Sequence, residues 1–121
     1  MIQIKRAYDP AAPGDGYRVL IDRLWPRGIR KEALPLDTWA HDLAPSTELR
    51  KWFQHDPARW DEFRKRYREE LSHEPAAALV ADLRKRAAKG PVTLVFGAHD
   101  VQHSNAEALS ELLAEADSRG E

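Results

Sequence analysis

Val92-Thr93-Leu94-Val95-Phe96 leaves no position for solvent: every residue is apolar or β-branched, and Gly90-Pro91 before it and Gly97 after it stop the run. An antiparallel strand with one wet face would alternate. This pattern predicts the central strand of a parallel sheet, covered on both faces by helices.

The flanking segments supply those helices. Upstream, Pro75 opens a helix with Leu79, Val80 and Leu83 inward, ended by Gly90-Pro91. Downstream, Ser104-Asn105-Ala106-Glu107 has the capping-box spacing, and the helix after it buries Leu109, Leu112, Leu113 and Ala116. Asp56-Pro57 is an N-cap with proline at the first helical position, and it opens a helix whose stripe is Trp60, Phe63, Tyr67 and Leu71. Ser46 caps a shorter helix carrying Leu49, Trp52 and Phe53. Residues 36–43 fit either a helical face or a strand or single turn bracketed by Pro35 and Pro45.

Two further strands lie near the N-terminus, Ile2 to Arg6 and Tyr17 to Leu24, the second containing Val19-Leu20-Ile21. Turn residues 9–16 between them are few for a parallel crossover, which leaves the pairing of these strands open. The expected fold is a small layered α/β domain over residues 1–121, with a mostly parallel central sheet of about four strands flanked by about four helices.

Composition sets the function classes aside in turn. A chain of 121 residues buries enough surface for a core without staples, and with no cysteine there is no disulfide, thiolate nucleophile or cysteine-held metal. No apolar run approaches a membrane span and the N-terminal residues lack a signal-peptide core, so a cytoplasmic protein without membrane partners is expected. The 19 basic and 20 acidic side chains nearly cancel, which argues against a general polyanion binder. They are unevenly placed. Residues 1–31 hold seven basic side chains against three carboxylates, a local charge of +4; residues 107–121 hold five carboxylates against Arg119, a local charge of −4.

In open α/β sheets ligands bind beyond the carboxyl ends of the strands. Two segments end there. Gly97 to Asn105 supplies a glycine for close approach, His99, Asp100 and His103 as acid or base groups, and the polar caps Ser104 and Asn105. The second strand runs into Asp22-Arg23-Leu24-Trp25-Pro26-Arg27-Gly28, with Asp22 as a catalytic carboxylate, Arg23 and Arg27 as anion anchors, and Trp25 as a substrate contact. Each has a plainer reading: Asp22 paired with Arg23 or capping a turn, Trp25 as packing or lid, the arginines as solvated charge, the histidines as loop hydrogen bonders. His55, beside Asp56, reads as part of a helix cap. His99 and His103 are four apart across a non-helical turn and lack the one-face geometry of a metal pair, so no metal is expected. Without a phosphate-binding glycine loop or a Gly-x-Ser-x-Gly elbow, no nucleotide cofactor or serine nucleophile is expected either.

The string Val19-Leu20-Ile21-Asp22-Arg23-Leu24-Trp25-Pro26-Arg27-Gly28 resembles the DUF488 family, in particular its short, YeaO-like branch. The likeness continues through Leu43 to Ser46, Leu49 to Phe53, His55-Asp56-Pro57, Trp60 to Tyr67 and Val92 to Asp100, almost the whole chain. The resemblance implies a compact α/β fold and no assigned activity. Longer members carry cysteine motifs where this chain has Phe96-Gly97-Ala98 and Ser104-Asn105-Ala106, so their thiol chemistry does not transfer. Asp100 and His103 match the family pattern, whereas His99 stands where close relatives usually have lysine.

Three readings follow. The first is an enzyme on a small anionic or phosphate-bearing substrate, with Arg23 and Arg27 holding the anion and Asp22, Asp100, His99 and His103 moving protons. The second is a nucleic-acid-binding or regulatory module using the basic N-terminal third and the arginines of residues 59–68. The third is a structural or interaction protein, or a haem or metal binder at His99 and His103.

Overall fold

The computed structural model describes residues 1–119, with side chains through Glu115. Its strands are β1 (Ile2–Arg6), β2 (Tyr17–Leu20), β3 (Thr38–Trp39) and β4 (Val92–Phe96), and its helices α1 (Thr47–Phe53), α2 (Trp60–Leu71), α3 (Ala76–Lys89) and α4 (Asn105–Arg119). All four strands are parallel, in the order β1-β4-β2-β3. β1 and β2 therefore do not pair. β4 lies between them, registering Ile2 to Arg6 on one edge and Tyr17 to Leu20 on the other, and this is why all five of its residues are buried.

The ten-residue β1–β2 connection spans one intervening strand with a 3-10 turn at Pro13–Asp15 and the left-handed Gly16 (φ 64°). The second strand is shorter than its apolar run implies, because the chain leaves the sheet after Leu20. Residues 36–43 follow the strand-or-turn reading and not the helical one: the two-residue β3, then a 3-10 turn at His41–Leu43.

Helix starts follow local chemistry. The Ser46 hydroxyl accepts from the Leu49 amide at 3.1 Å, and Glu70 receives both the Ser46 amide (2.8 Å) and hydroxyl (2.5 Å), tying α1 to α2. Asp56 caps a 3-10 turn at Pro57–Arg59 that runs into α2. Ser104 accepts from the Glu107 amide at 3.1 Å. Of the apolar stripe read for the last helix, Leu109 and Leu113 are buried and Leu112 packs beside them, while the Ala116 side chain lies outside the described residues.

The expectation of helices on both faces of β4 is corrected. Val92, Leu94 and Phe96 join Val19 and the inward side chains of all four helices in one core. Val95 and Leu20, on the other face, meet only Ala7 and Leu34, with Trp25, Ile29, Leu36 and Trp39 packed around them, all from strand edges and loops. An apolar strand needs two apolar covers. The composition of the strand does not say that both are helical. Beyond the second cover, on the same face, Asp15 takes Lys5 at 2.8 Å and the buried Arg18 at 2.5 Å.

Candidate functional site

Because every strand is parallel, the segments after β2, β3 and β4 leave from one edge of the sheet, the carboxyl edge. There residues 22–27, 44–45 and 97–105, with α1 and its C-terminal turn, enclose a cavity of about 660 Å³. Nine of the ten residues selected from sequence line it, in two groups. Asp22, Arg23, Trp25 and Arg27 come from the β2 loop; Gly97, His99, Asp100, His103 and Asn105 come from the β4 loop and the start of α4. Ser104 is apart from the wall: it is buried, and its hydroxyl is used by the Glu107 amide and the Val101 carbonyl (2.8 Å).

Asp22 joins the two loops. Its Oδ2 accepts from the Gly97 amide at 2.9 Å and its Oδ1 from Asn105 Nδ2 at 3.1 Å, while its carbonyl accepts from the Trp39 indole at 2.7 Å. Burial pushes its carboxyl above the usual range, against the opposing pull of those two donors and, more weakly, of His55 and Arg50. It does not pair with Arg23.

The two histidines are fixed in opposite senses. His103 Nδ1 lies 2.8 Å from Asp100 Oδ2, so that nitrogen carries the hydrogen and Nε2 is left as the acceptor of the neutral ring. Asp100 also accepts from the His103 amide, and its hydrogen bond with the imidazole lowers its carboxyl below the usual range. His99 Nδ1 lies 3.4 Å from Arg6 Nη2, and a guanidinium only donates, so Nδ1 is the acceptor and Nε2 carries the hydrogen. Arg6 pins this loop further through the Ala98 carbonyl (2.9 Å) and the Gly97 carbonyl (3.3 Å).

Arg23 and Arg27 take part in no ion pair among the described residues. Arg23 reaches the Ala44 carbonyl at 3.5 Å and keeps a buried Nε without a hydrogen-bond partner. Trp25 is already engaged: its indole donates to the Ile29 carbonyl at 2.6 Å and its ring meets Trp39 edge-on at 5.3 Å.

Arg50 and His55 are among the cavity residues that the sequence reading did not select. Arg50 lies three residues before Phe53 on α1, and that helical spacing was the available signal. His55 follows the left-handed C-cap Gln54 (φ 48°) and is itself left-handed (φ 56°). Two consecutive non-glycine residues in that region are uncommon, and nothing in the local sequence announces them.

Among the described residues the acidic last helix is spent on α2 and not on the basic N-terminal third. Arg64 pairs with Glu111 at 2.8 Å and Arg68 with Glu115, so the acidic last helix neutralises α2. Arg59 and Arg66 pair with Asp56 (3.7 Å) and Glu62 (2.9 Å). The basic face of residues 59–68 is thus largely spent within the protein. Among the described residues no group of three or more His, Asp or Glu side chains is placed to hold a metal ion, and no helix is long and apolar enough to cross a membrane.

Fold and site together define a small α/β protein with a cavity of mixed acid, base and guanidinium groups at the carboxyl edge of a parallel sheet. The chain belongs to the DUF488 family: over residues 1–121 it matches the family described as the inactive DUF488-N3 subclade. It is 46% identical to an uncharacterised protein of Mycobacterium tuberculosis over 112 residues, covering 93% of this chain and 92% of that one. It is also 46% identical to the uncharacterised protein YeaO of Escherichia coli over 113 residues, covering 93% and 96%. No solved structure matches it.

Proposed function

We propose that the strand-end cavity binds a small anionic molecule. The observation that carries this reading is the set of three arginines on one wall system, Arg23, Arg27 and Arg50, against two carboxylates, Asp22 and Asp100, that are already occupied by donors of the protein itself. An incoming carboxylate or phosphate oxygen would give the guanidinium groups on the cavity wall charge-assisted hydrogen bonds worth roughly 1.5–3 kcal/mol each. The family description, an inactive subclade, weighs against turnover at this site.

A second reading keeps catalysis on that anion. It is favoured by the Asp100–His103 hydrogen bond, which leaves His103 Nε2 as a base of fixed tautomer, with Asp22 and the oppositely set His99 as further proton-handling groups. The nucleic-acid reading has less support, because the arginines of α2 are paired.

Calorimetric titration with phosphate, pyrophosphate, benzoate and phenyl phosphate tests the proposal. At least one should bind, and Arg23→Ala and Arg27→Ala should each weaken it about tenfold, or about 1.4 kcal/mol. Absence of binding by all four, or equal affinity in the variants, overturns it. Phosphate release from phenyl phosphate that disappears in His103→Ala would move the reading to catalysis.

A further inference from the structure

Resting on that reading, we infer that the ligand is an arene carrying one anionic group, bound with its ring against the apolar wall of the strand-end cavity and its charge toward the arginines. The first observation is size. About 660 Å³ falls in the roughly 300–1,000 Å³ range of sites for drug-sized ligands, and corresponds to roughly twenty waters' share of liquid volume. A bare inorganic ion would leave most of it as water against apolar side chains.

The second is the chemistry of that wall. Its polar aromatic groups have already given up their hydrogen bonds: the Trp25 indole donates to the Ile29 carbonyl, and the Tyr8 hydroxyl to the Arg27 carbonyl at 2.8 Å. What they present to a ligand is ring surface. Phe53 and Phe63, stacked at 4.2 Å and 19° from parallel, back that wall but are themselves buried, so the ring surface open to a ligand is that of Tyr8 and Trp25. Trp60 stacks on Phe63 at 5.7 Å and receives His103 edge-on at 5.3 Å, so the aromatic cluster ends at the Asp100–His103 pair. The rings open to the cavity sit on the arginine side instead: Trp25 lies two residues from both Arg23 and Arg27 on the β2 loop, and Tyr8 is hydrogen-bonded to the Arg27 carbonyl.

The third is the mouth. Among the described residues four large hydrophobic side chains are exposed, and two of them, Leu24 at 64% and Tyr8 at 45%, line this cavity. Apolar surface left in water at the entrance of a cavity is what a ligand with an apolar body would cover.

The test compares phenyl phosphate, inorganic phosphate and phenol by calorimetry on the full chain, with Leu24→Ser as the wall variant; this residue is exposed, so its replacement leaves the core untouched. Phenyl phosphate should bind at least tenfold more tightly than either fragment, and Leu24→Ser should weaken it about threefold while leaving inorganic phosphate unchanged. Equal affinity for phosphate and phenyl phosphate overturns the arene and leaves the anion site standing. Equal affinity for phenol and phenyl phosphate overturns the anion site itself, and binding of none of the three overturns both.

Discussion

Asp22 accepts from a backbone amide and a side-chain amide, yet its carboxyl is pushed up, because removing the charge from water outweighs two hydrogen bonds. The sign of its effect on stability follows. A carboxyl whose pKa is higher in the folded than in the unfolded protein stabilises fully below its ordinary value of 3.8, and that contribution is lost as pH rises through the raised value. Asp22→Asn removes the titration while keeping the shape. It loses one acceptor, worth about 1 kcal/mol, since only the oxygen of an amide accepts and its NH2 would face the other of the two donors, Gly97 and Asn105. Thermal unfolding followed across the acid range should therefore show the wild type losing ground to Asp22→Asn as pH rises past the ordinary carboxylate range, with the two within about 1.5 kcal/mol at pH 7. A constant difference at all pH values would mean that Asp22 titrates as it does in the unfolded chain.

At the scale of elements, the connection between β1 and β2 depends on one atom that is missing. Gly16 has φ 64°, and a Cβ there would stand 2.2 Å from the Pro91 carbonyl oxygen, on the backbone that leads into β4. Gly28 has φ 82° but open space around its Cβ position. Gly16→Ala should thus cost about 3 kcal/mol or more, left-handed strain plus a backbone clash, and Gly28→Ala only about 1 kcal/mol. Urea unfolding of the two variants reads the contrast, and equal losses would show that β2 can shift away from Pro91. The sequence places Gly16 in a turn and Gly28 in the strand-end loop without ranking them, and the same division between local and non-local runs through the fold. The caps at Ser46, Asp56 and Ser104, the stripe of α2 and the burial of β4 are legible because each is set by residues within one helical turn or one strand. The insertion of β4 between β1 and β2 and the brevity of β3 depend on partners distant in the chain, and the left-handed His55 has no signal in its own sequence neighbours. The site divides the same way: both strand-end loops followed from the general position of ligands in parallel sheets, whereas Arg50 and His55 reach the cavity only because α1 packs against that edge.

Across the whole molecule the two faces of the sheet are unequal. One carries the inward side chains of four helices, including Phe63, Tyr67, Leu109 and Leu113; the other is closed by Ala7, Leu20, Leu34 and Val95 with the chain of residues 24–36 over them. A cover built from loop and a single 3-10 turn has few backbone hydrogen bonds of its own and buries less apolar surface, so it opens at a lower free energy than the helical layer. This cover also carries Trp25 and Arg27 and adjoins Arg23, so opening of the second face loosens one wall of the cavity while the β4 loop, held by Arg6 and Asp22, stays in place. Native-state hydrogen exchange should show amides of residues 24–36 exchanging at least a hundredfold faster than those of Val92–Phe96. Leu34 is 4% exposed and anchors the cover, so Leu34→Ala, a truncation that costs about 2–5 kcal/mol, should speed exchange in residues 24–36 more than in β4. If both segments instead exchange together in the wild type and accelerate equally in the variant, the two faces unfold as one unit and the cavity wall has no independent motion.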